Sequence, residues 1–155
     1  MSQVRVLHGP PPKKENAMVN IHPASMLGLM FLLHFFADFN LQLGSGMDKF
    51  KQKKWWTDQI GKDDAESMKK YGKDYEAAMW CHGMYWSLVV CLPLLMTGGI
   101  AYAVNALIHG FIHALIDHAK ANRFSLNLIQ DQLLHGMQIL CIWMVWTWYL
   151  CILRT

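Results

Sequence analysis

Charge is what this chain has least of. Asp, Glu, Lys and Arg make up 16% of its 155 residues, against about 25% in an ordinary soluble domain. Hydrophobic residues reach 54%. Together these figures exclude a disordered chain and argue against a soluble globule. The net charge is +3 with histidine neutral, too little to draw the chain to nucleic acid. Paired cysteines are missing as well. Cys81, Cys91, Cys141 and Cys151 form no CxxC pair and all lie in apolar stretches. They read as small hydrophobes, not as a disulfide framework or a thiol-redox centre. Residues 1–22 lack the apolar run of a cleaved signal peptide. No internal repeat is present.

What the chain does have is length in its apolar runs. Four membrane spans are expected, at about 23–43, 79–97, 100–120 and 128–153, each long enough for a hydrocarbon core of ~30 Å at 1.5 Å per residue. Residues 1–22 carry Pro10, Pro11 and Pro12, which forbid a helix and give an extended arm. Gly44, Ser45 and Gly46 end the first span. The connection 44–78 holds eight lysines and seven acids around Trp55 and Trp56. It reads equally well as a helix at the headgroup layer and as a solvated loop. Pro93 is expected to kink the end of span two. Gly98 and Gly99 make spans two and three antiparallel neighbours. Trp143, Trp146, Trp148 and Tyr149 form an aromatic belt on span four. The expected fold class is therefore all-α, an integral membrane four-helix bundle in one domain over 23–153. Ten of the fourteen basic residues fall on the side of the 44–78 and 121–127 connections. The positive-inside rule puts that side in the cytoplasm of a bacterial inner membrane and both termini on the other.

Ionisable residues sit inside every span. Span one has His34 and Asp38, span two His82, span three His109, His113 and Asp117, and span four Asp131 and His135. His34/Asp38, His113/Asp117 and Asp131/His135 are i,i+4 pairs, so each pair shares a helix face. Counted from the span ends, all but the deeper His109 lie in the half of the bilayer nearer the 44–78 connection. A carboxylate facing lipid costs roughly 2.5–3.5 kcal/mol at the helix centre, so these groups should turn inward and meet. Imidazoles and carboxylates bind zinc, iron or manganese, and an open coordination position activates water. His34, His113, His135, His82 and His109 are the expected metal ligands. Asp38, Asp117 and Asp131 are the expected catalytic carboxylates, and Gln42, Lys120 and Gln132 are expected to hold substrate. Asp48, Lys49, Lys51 and Trp55 read first as charged surface, with the shaping of a substrate entrance as the alternative. Gly110, Gly136 and Ala114 are expected where helices pack closely.

The runs His34-Phe35-Phe36-Ala37-Asp38-Phe39-Asn40-Leu41-Gln42, His82, His113-Ala114-Leu115-Ile116-Asp117-His118-Ala119-Lys120 and Asp131-Gln132-Leu133-Leu134-His135 resemble the signature of a domain-of-unknown-function family of small bacterial and bacteriophage multi-pass membrane proteins. The resemblance covers 23–140. Asn40 stands where the family more often has an apolar residue, the 44–78 connection is longer than usual, and the arm is extra. The resemblance implies that the polar layer is a shared site and that the source is bacterial or phage; it supplies no reaction.

From residue type and layer, the expected function is a metal-dependent membrane hydrolase. Zinc is the first choice of metal, with iron or manganese next. The substrate would be a lipid or lipid-linked molecule near the cytoplasmic leaflet, and the partners are the bilayer and a second copy in a homodimer. Two other classes stay open. One is a small transporter of protons or divalent cations, which needs polar lining on both sides of the layer. The other is a phage or bacterial membrane interaction protein whose polar core is structural.

Overall fold

The computed structural model describes residues 22–40, 46–61 and 63–154. The arm up to residue 21, Gln42 and the Gly44-Ser45 turn lie outside the described residues. Among the described residues the chain is all helical. The helices are α1 (Pro23–Phe35), α2 (Met47–Phe50), α3 (Lys53–Ile60), α4 (Ala65–Tyr71), α5 (Asp74–Val90), α6 (Gly99–Ala121) and α7 (Leu128–Arg154).

Helix α1 starts where proline costs nothing, with Pro23 in its first turn and the His22 ring accepting the Ala24 N–H. It loosens into a π-helical turn over Phe36–Asn40, the kind of one-residue widening that recurs at functional sites. Helix α5 ends earlier than the expected span, at Val90, and starts earlier, at Asp74. Pro93 does not kink it. It lies in the first turn of a separate 3-10 helix, Leu92–Met96, because its ring has no N–H to continue the α ladder. Gly98, at φ 144°, then turns the chain into α6, a conformation that side chains rarely tolerate.

Contacts fix the directions. Trp143 donates to the Pro23 carbonyl while Gln132 reaches Asp38, so α1 and α7 are antiparallel. Gln138 reaches the His109 carbonyl while Lys120 reaches Asp131, so α6 and α7 are antiparallel too. Helices α5 and α6 approach most closely at glycines. A Cβ on Gly83 would sit 2.6 Å from the Gly110 carbonyl oxygen and 3.0 Å from the Ala114 Cβ. Gly136 is different: its nearest foreign atom would be Phe31 Cε1 at 4.0 Å, so no close approach needs a glycine there.

The interior has two layers. Toward the Pro23 end it is apolar, built on Met26, Met30, Trp86, Leu94, Ile142 and Trp146. Toward the other end it is polar, with His34, Asp38, His82, His113, Asp117, Asp131 and His135 all buried. The outside is apolar: Leu32, Ile100, Leu107, Leu133 and Met137 are exposed. Helices α6 and α7 (over Leu128–Ile152) are long and apolar enough to cross a membrane, and only 28% of each apolar window is buried, unlike the core helix of a soluble protein.

The 44–78 connection is helical in pieces and folds back on the bundle. Asn122 at the end of α6 donates to the Lys51 carbonyl at 3.0 Å and accepts the Lys53 N–H at 2.7 Å. Phe50, Trp55 and Trp56 pack edge to face beside this joint, and Asp64 caps α4 by accepting the Ser67 N–H. The four cysteines are unpaired, with Cys91 buried and the others exposed.

Candidate metal centre

Four helices deliver side chains to one buried cluster. From α5, His82 Nε2 lies 3.5 Å from Asp38 Oδ1 in the π-turn and 3.5 Å from Asp117 Oδ2 on α6. His113 Nε2 is 3.7 Å from the same Asp117 oxygen. From α7, His135 Nε2 is 3.5 Å from Asp117 Oδ1 and 3.4 Å from Asp131 Oδ1. Asp117 is the hub, since one oxygen faces His82 and His113 and the other faces His135. The candidate ligand atoms form two groups that share His113, one with Asp38 and His82 and one with Asp117 and His135.

Those spacings have a chemical meaning. Two atoms each ~2.1 Å from a common zinc-like ion at the tetrahedral angle are ~3.4 Å apart. The imidazole–carboxylate distances of 3.4–3.7 Å match that edge and exceed a normal hydrogen bond. Accordingly, His82 Nε2, both nitrogens of His113, His135 Nε2 and Asp131 Oδ1 are buried without a hydrogen-bond partner. An orphaned buried polar atom costs about 1–3 kcal/mol. The orphaned imidazoles belong to two three-residue groups that share His113, and a cation in either would satisfy the nitrogens of that group, so the donor set fits a divalent metal.

The surroundings fix tautomers. Gln138 Nε2 donates to the His109 carbonyl at 3.1 Å, which turns its Oε1 toward His135 Nδ1 at 3.2 Å. His135 therefore carries its proton on Nδ1 and presents a bare Nε2 to the cluster, as a ligating imidazole does. The His113 ring is held by stacking, between Trp86 at 4.3 Å and His135 at 4.2 Å.

His34 is placed differently. Its Nδ1 accepts the Trp86 indole N–H at 2.9 Å, so its proton sits on Nε2 and is donated to Gln132 Oε1 at 3.2 Å. Both nitrogens are occupied, and His34 belongs to neither ligand group. Gln132 in turn donates to Asp38 Oδ2 at 3.2 Å and Asp131 Oδ2 at 3.1 Å. The pair orients two carboxylates; Gln132 does not stand free for a substrate. His109 is also outside both groups. Its main chain serves the site through Gln138, and its ring lies one turn away. Lys120, expected to meet substrate, donates to Asp131 Oδ2 at 2.6 Å.

Sequence reasoning passed over Gln138 and Trp86, and it read Lys51 first as charged surface. Gln138 is three residues from His135 and Trp86 four from His82, so helical spacing alone places each on the correct face. Lys51 gave no such signal. Its ammonium, buried on the returning connection, donates to Asp117 Oδ2 at 2.5 Å. Between Lys51 and Lys120 a cavity of about 240 Å³ opens onto Asp117, with Asp48, Gln52 and Phe124 completing its wall.

Fold and site together define an all-helical protein with an apolar exterior and a buried His/Asp centre of metal-ligand chemistry. Compared with protein-family models, curated proteins and solved structures, the chain matches none.

Proposed function

We propose that this protein is a membrane-embedded, metal-dependent hydrolase acting on a lipid or lipid-linked substrate. In this reading α1, α5, α6 and α7 are four spans, and the 44–78 connection lies at the cytoplasmic face, where most of the lysines are. Supporting it, the outside of the bundle is apolar while its ionisable groups face one another, the arrangement lipid imposes.

The observation that carries the reading is the set of partnerless Nε2 atoms on His82, His113 and His135 around the Asp117 carboxylate. An ion would be held by His113 with either Asp38 and His82 or Asp117 and His135. A divalent metal there would supply Lewis acidity and a lowered pKa of water. Asp131 Oδ1 is the general base that takes the proton of the attacking water. Lys120 and Gln132, bonded to the other Asp131 oxygen, keep that base aimed. The water oxygen would bond to the acyl or phosphoryl centre, the bond from that centre to the leaving oxygen would break, and the proton taken by Asp131 would pass to the leaving oxygen. The apolar layer between the cluster and the Pro23 end weighs against a path for ions across the bundle, and so against a transporter.

The test is metal analysis of the full-length protein in lipid nanodiscs prepared without chelator. Bound zinc, iron or manganese is expected, to be lost in His113→Ala and retained in His109→Ala. Protein that holds no metal, even after refeeding with zinc, manganese and ferrous iron, would overturn the reading.

A further inference from the structure

The cavity mouth carries its own chemistry. We infer that the group this site receives is a phosphate ester, held by the ammoniums of Lys51 and Lys120; the inference rests on the metal reading above and names its substrate class.

Charge is the first argument. Ligating imidazoles are neutral, so the cluster joins three buried carboxylates, Asp38, Asp117 and Asp131, to the buried Lys51 ammonium and the half-exposed Lys120 ammonium; Asp48, on the cavity wall, is exposed and screened by water. That leaves one negative charge. A divalent ion reverses it to one positive charge, in surroundings where an uncompensated charge is expensive. The metal-loaded site therefore calls for an anion. The half-exposed Lys120 ammonium has three N–H donors, so it keeps Asp131 Oδ2 and still has protons to give an entering anion.

Placement is the second. Both lysines line a cavity that reaches Asp117, so an anion entering by it meets them beside the cluster. They stand on separate elements, Lys51 after α2 and Lys120 in the last turn of α6. With the ion they surround the entering group from three directions. A tetrahedral oxyanion offers an oxygen to each. A planar carboxylate does not, and the planar fork that suits it is arginine's, whereas lysine binds phosphate as a point charge. The phosphate can sit on a lipid head group or on a water-soluble ester, since the contact is the same.

The test uses full-length protein in phosphatidylcholine nanodiscs loaded with manganese, the loading measured by elemental analysis. Inorganic phosphate is titrated in and followed by phosphorus NMR, because bound manganese relaxes a nearby phosphorus. Saturable relaxation is expected. Its affinity should fall about tenfold to a hundredfold in Lys120→Gln and in Lys51→Met, the loss of a charge-assisted hydrogen bond. It should be unchanged in Lys69→Ala, on the exposed face of α4, and should resist an equal concentration of acetate. If Lys51→Met does not fold, Lys120→Gln, whose side chain is 38% exposed, carries the comparison. Manganese retained with no phosphate relaxation, equal relaxation in all variants, or displacement by acetate would overturn this inference and leave the metal reading standing. Failure to take up manganese or any other divalent metal would overturn the metal reading itself, and this inference with it. Nanodiscs doped with phosphatidic acid separate the sources. Competition with inorganic phosphate supports a lipid head group, and undiminished phosphate binding supports a soluble ester.

Discussion

Replacing Gln138 by methionine tests the centre without touching a ligand. The side chain is buried and nearly the size of methionine, so the packing survives while two hydrogen bonds vanish: Oε1 to His135 Nδ1 at 3.2 Å and Nε2 to the His109 carbonyl at 3.1 Å. Each is worth about 0.5–1.5 kcal/mol net, so stability should fall by roughly 1–3 kcal/mol. The larger effect is on His135. Without an acceptor at Nδ1 its proton moves to Nε2, where Asp117 Oδ1 and Asp131 Oδ1 wait at 3.5 and 3.4 Å. That tautomer satisfies the empty cluster and blocks the ligand position. Losing such an orienting partner typically weakens metal binding 10- to 100-fold, about 1.4–2.7 kcal/mol. Competition against a chromophoric zinc chelator reads the affinity, and nitrogen NMR of labelled histidine reads the tautomer. An affinity within about twofold of wild type, with the proton still on Nδ1, would refute the reasoning, since a metal-independent polar core needs no particular tautomer.

Three further outcomes are expected. Asp117→Asn leaves the buried Lys51 ammonium without its carboxylate and should cost about 3–5 kcal/mol in thermal or denaturant unfolding; adding Lys51→Met should restore much of that stability but none of the metal. A double variant no more stable than the single would show that the pair is not the cause. Gly83→Ala drives a methyl into the Gly110 carbonyl and should destabilise the α5–α6 contact by roughly 1–3 kcal/mol, and an unchanged unfolding midpoint would contradict that packing. Leu107→Arg places a charge on the exposed side of α6 and should reduce membrane insertion by about 2.5–3.5 kcal/mol in a glycosylation-mapping assay; unimpaired insertion would mean that this face does not meet lipid.

Much of this architecture is written in hydropathy and in helical spacing. The long apolar helices α6 and α7 follow directly from composition, and the i,i+4 pairs already state that His113 with Asp117, and Asp131 with His135, look the same way. Spacing within a helix says nothing of which partner each group meets across the bundle. That is why His34 was indistinguishable from a ligand: its role is decided by the Trp86 indole and Gln132, on two other helices. His109 shares the stripe of His113 but sits a turn too deep, and depth is set by how α7 slides along α6, which no single helix encodes. Lys51 read first as charged surface for a simpler reason. It is one lysine among many in a polar segment, and only the docking of that segment through Asn122 separates it from its neighbours. The π-turn at Asp38 left no readable trace, because the extra residue it accommodates disturbs no hydropathy pattern.

The Lys51–Asp117 bond also bears on how the molecule is made. Its two ends are 66 residues apart, and the ammonium belongs to a stretch that leaves the ribosome long before the carboxylate does. In the membrane reading proposed above, where helices enter a bilayer in order of synthesis, Asp117 would arrive in an apolar segment whose counter-charge waits outside, at the water boundary. Capture of the late helix by the early loop is then a closing step of biogenesis. A chain cut or extended between residues 51 and 117 would insert its helices and still fail to finish the pocket.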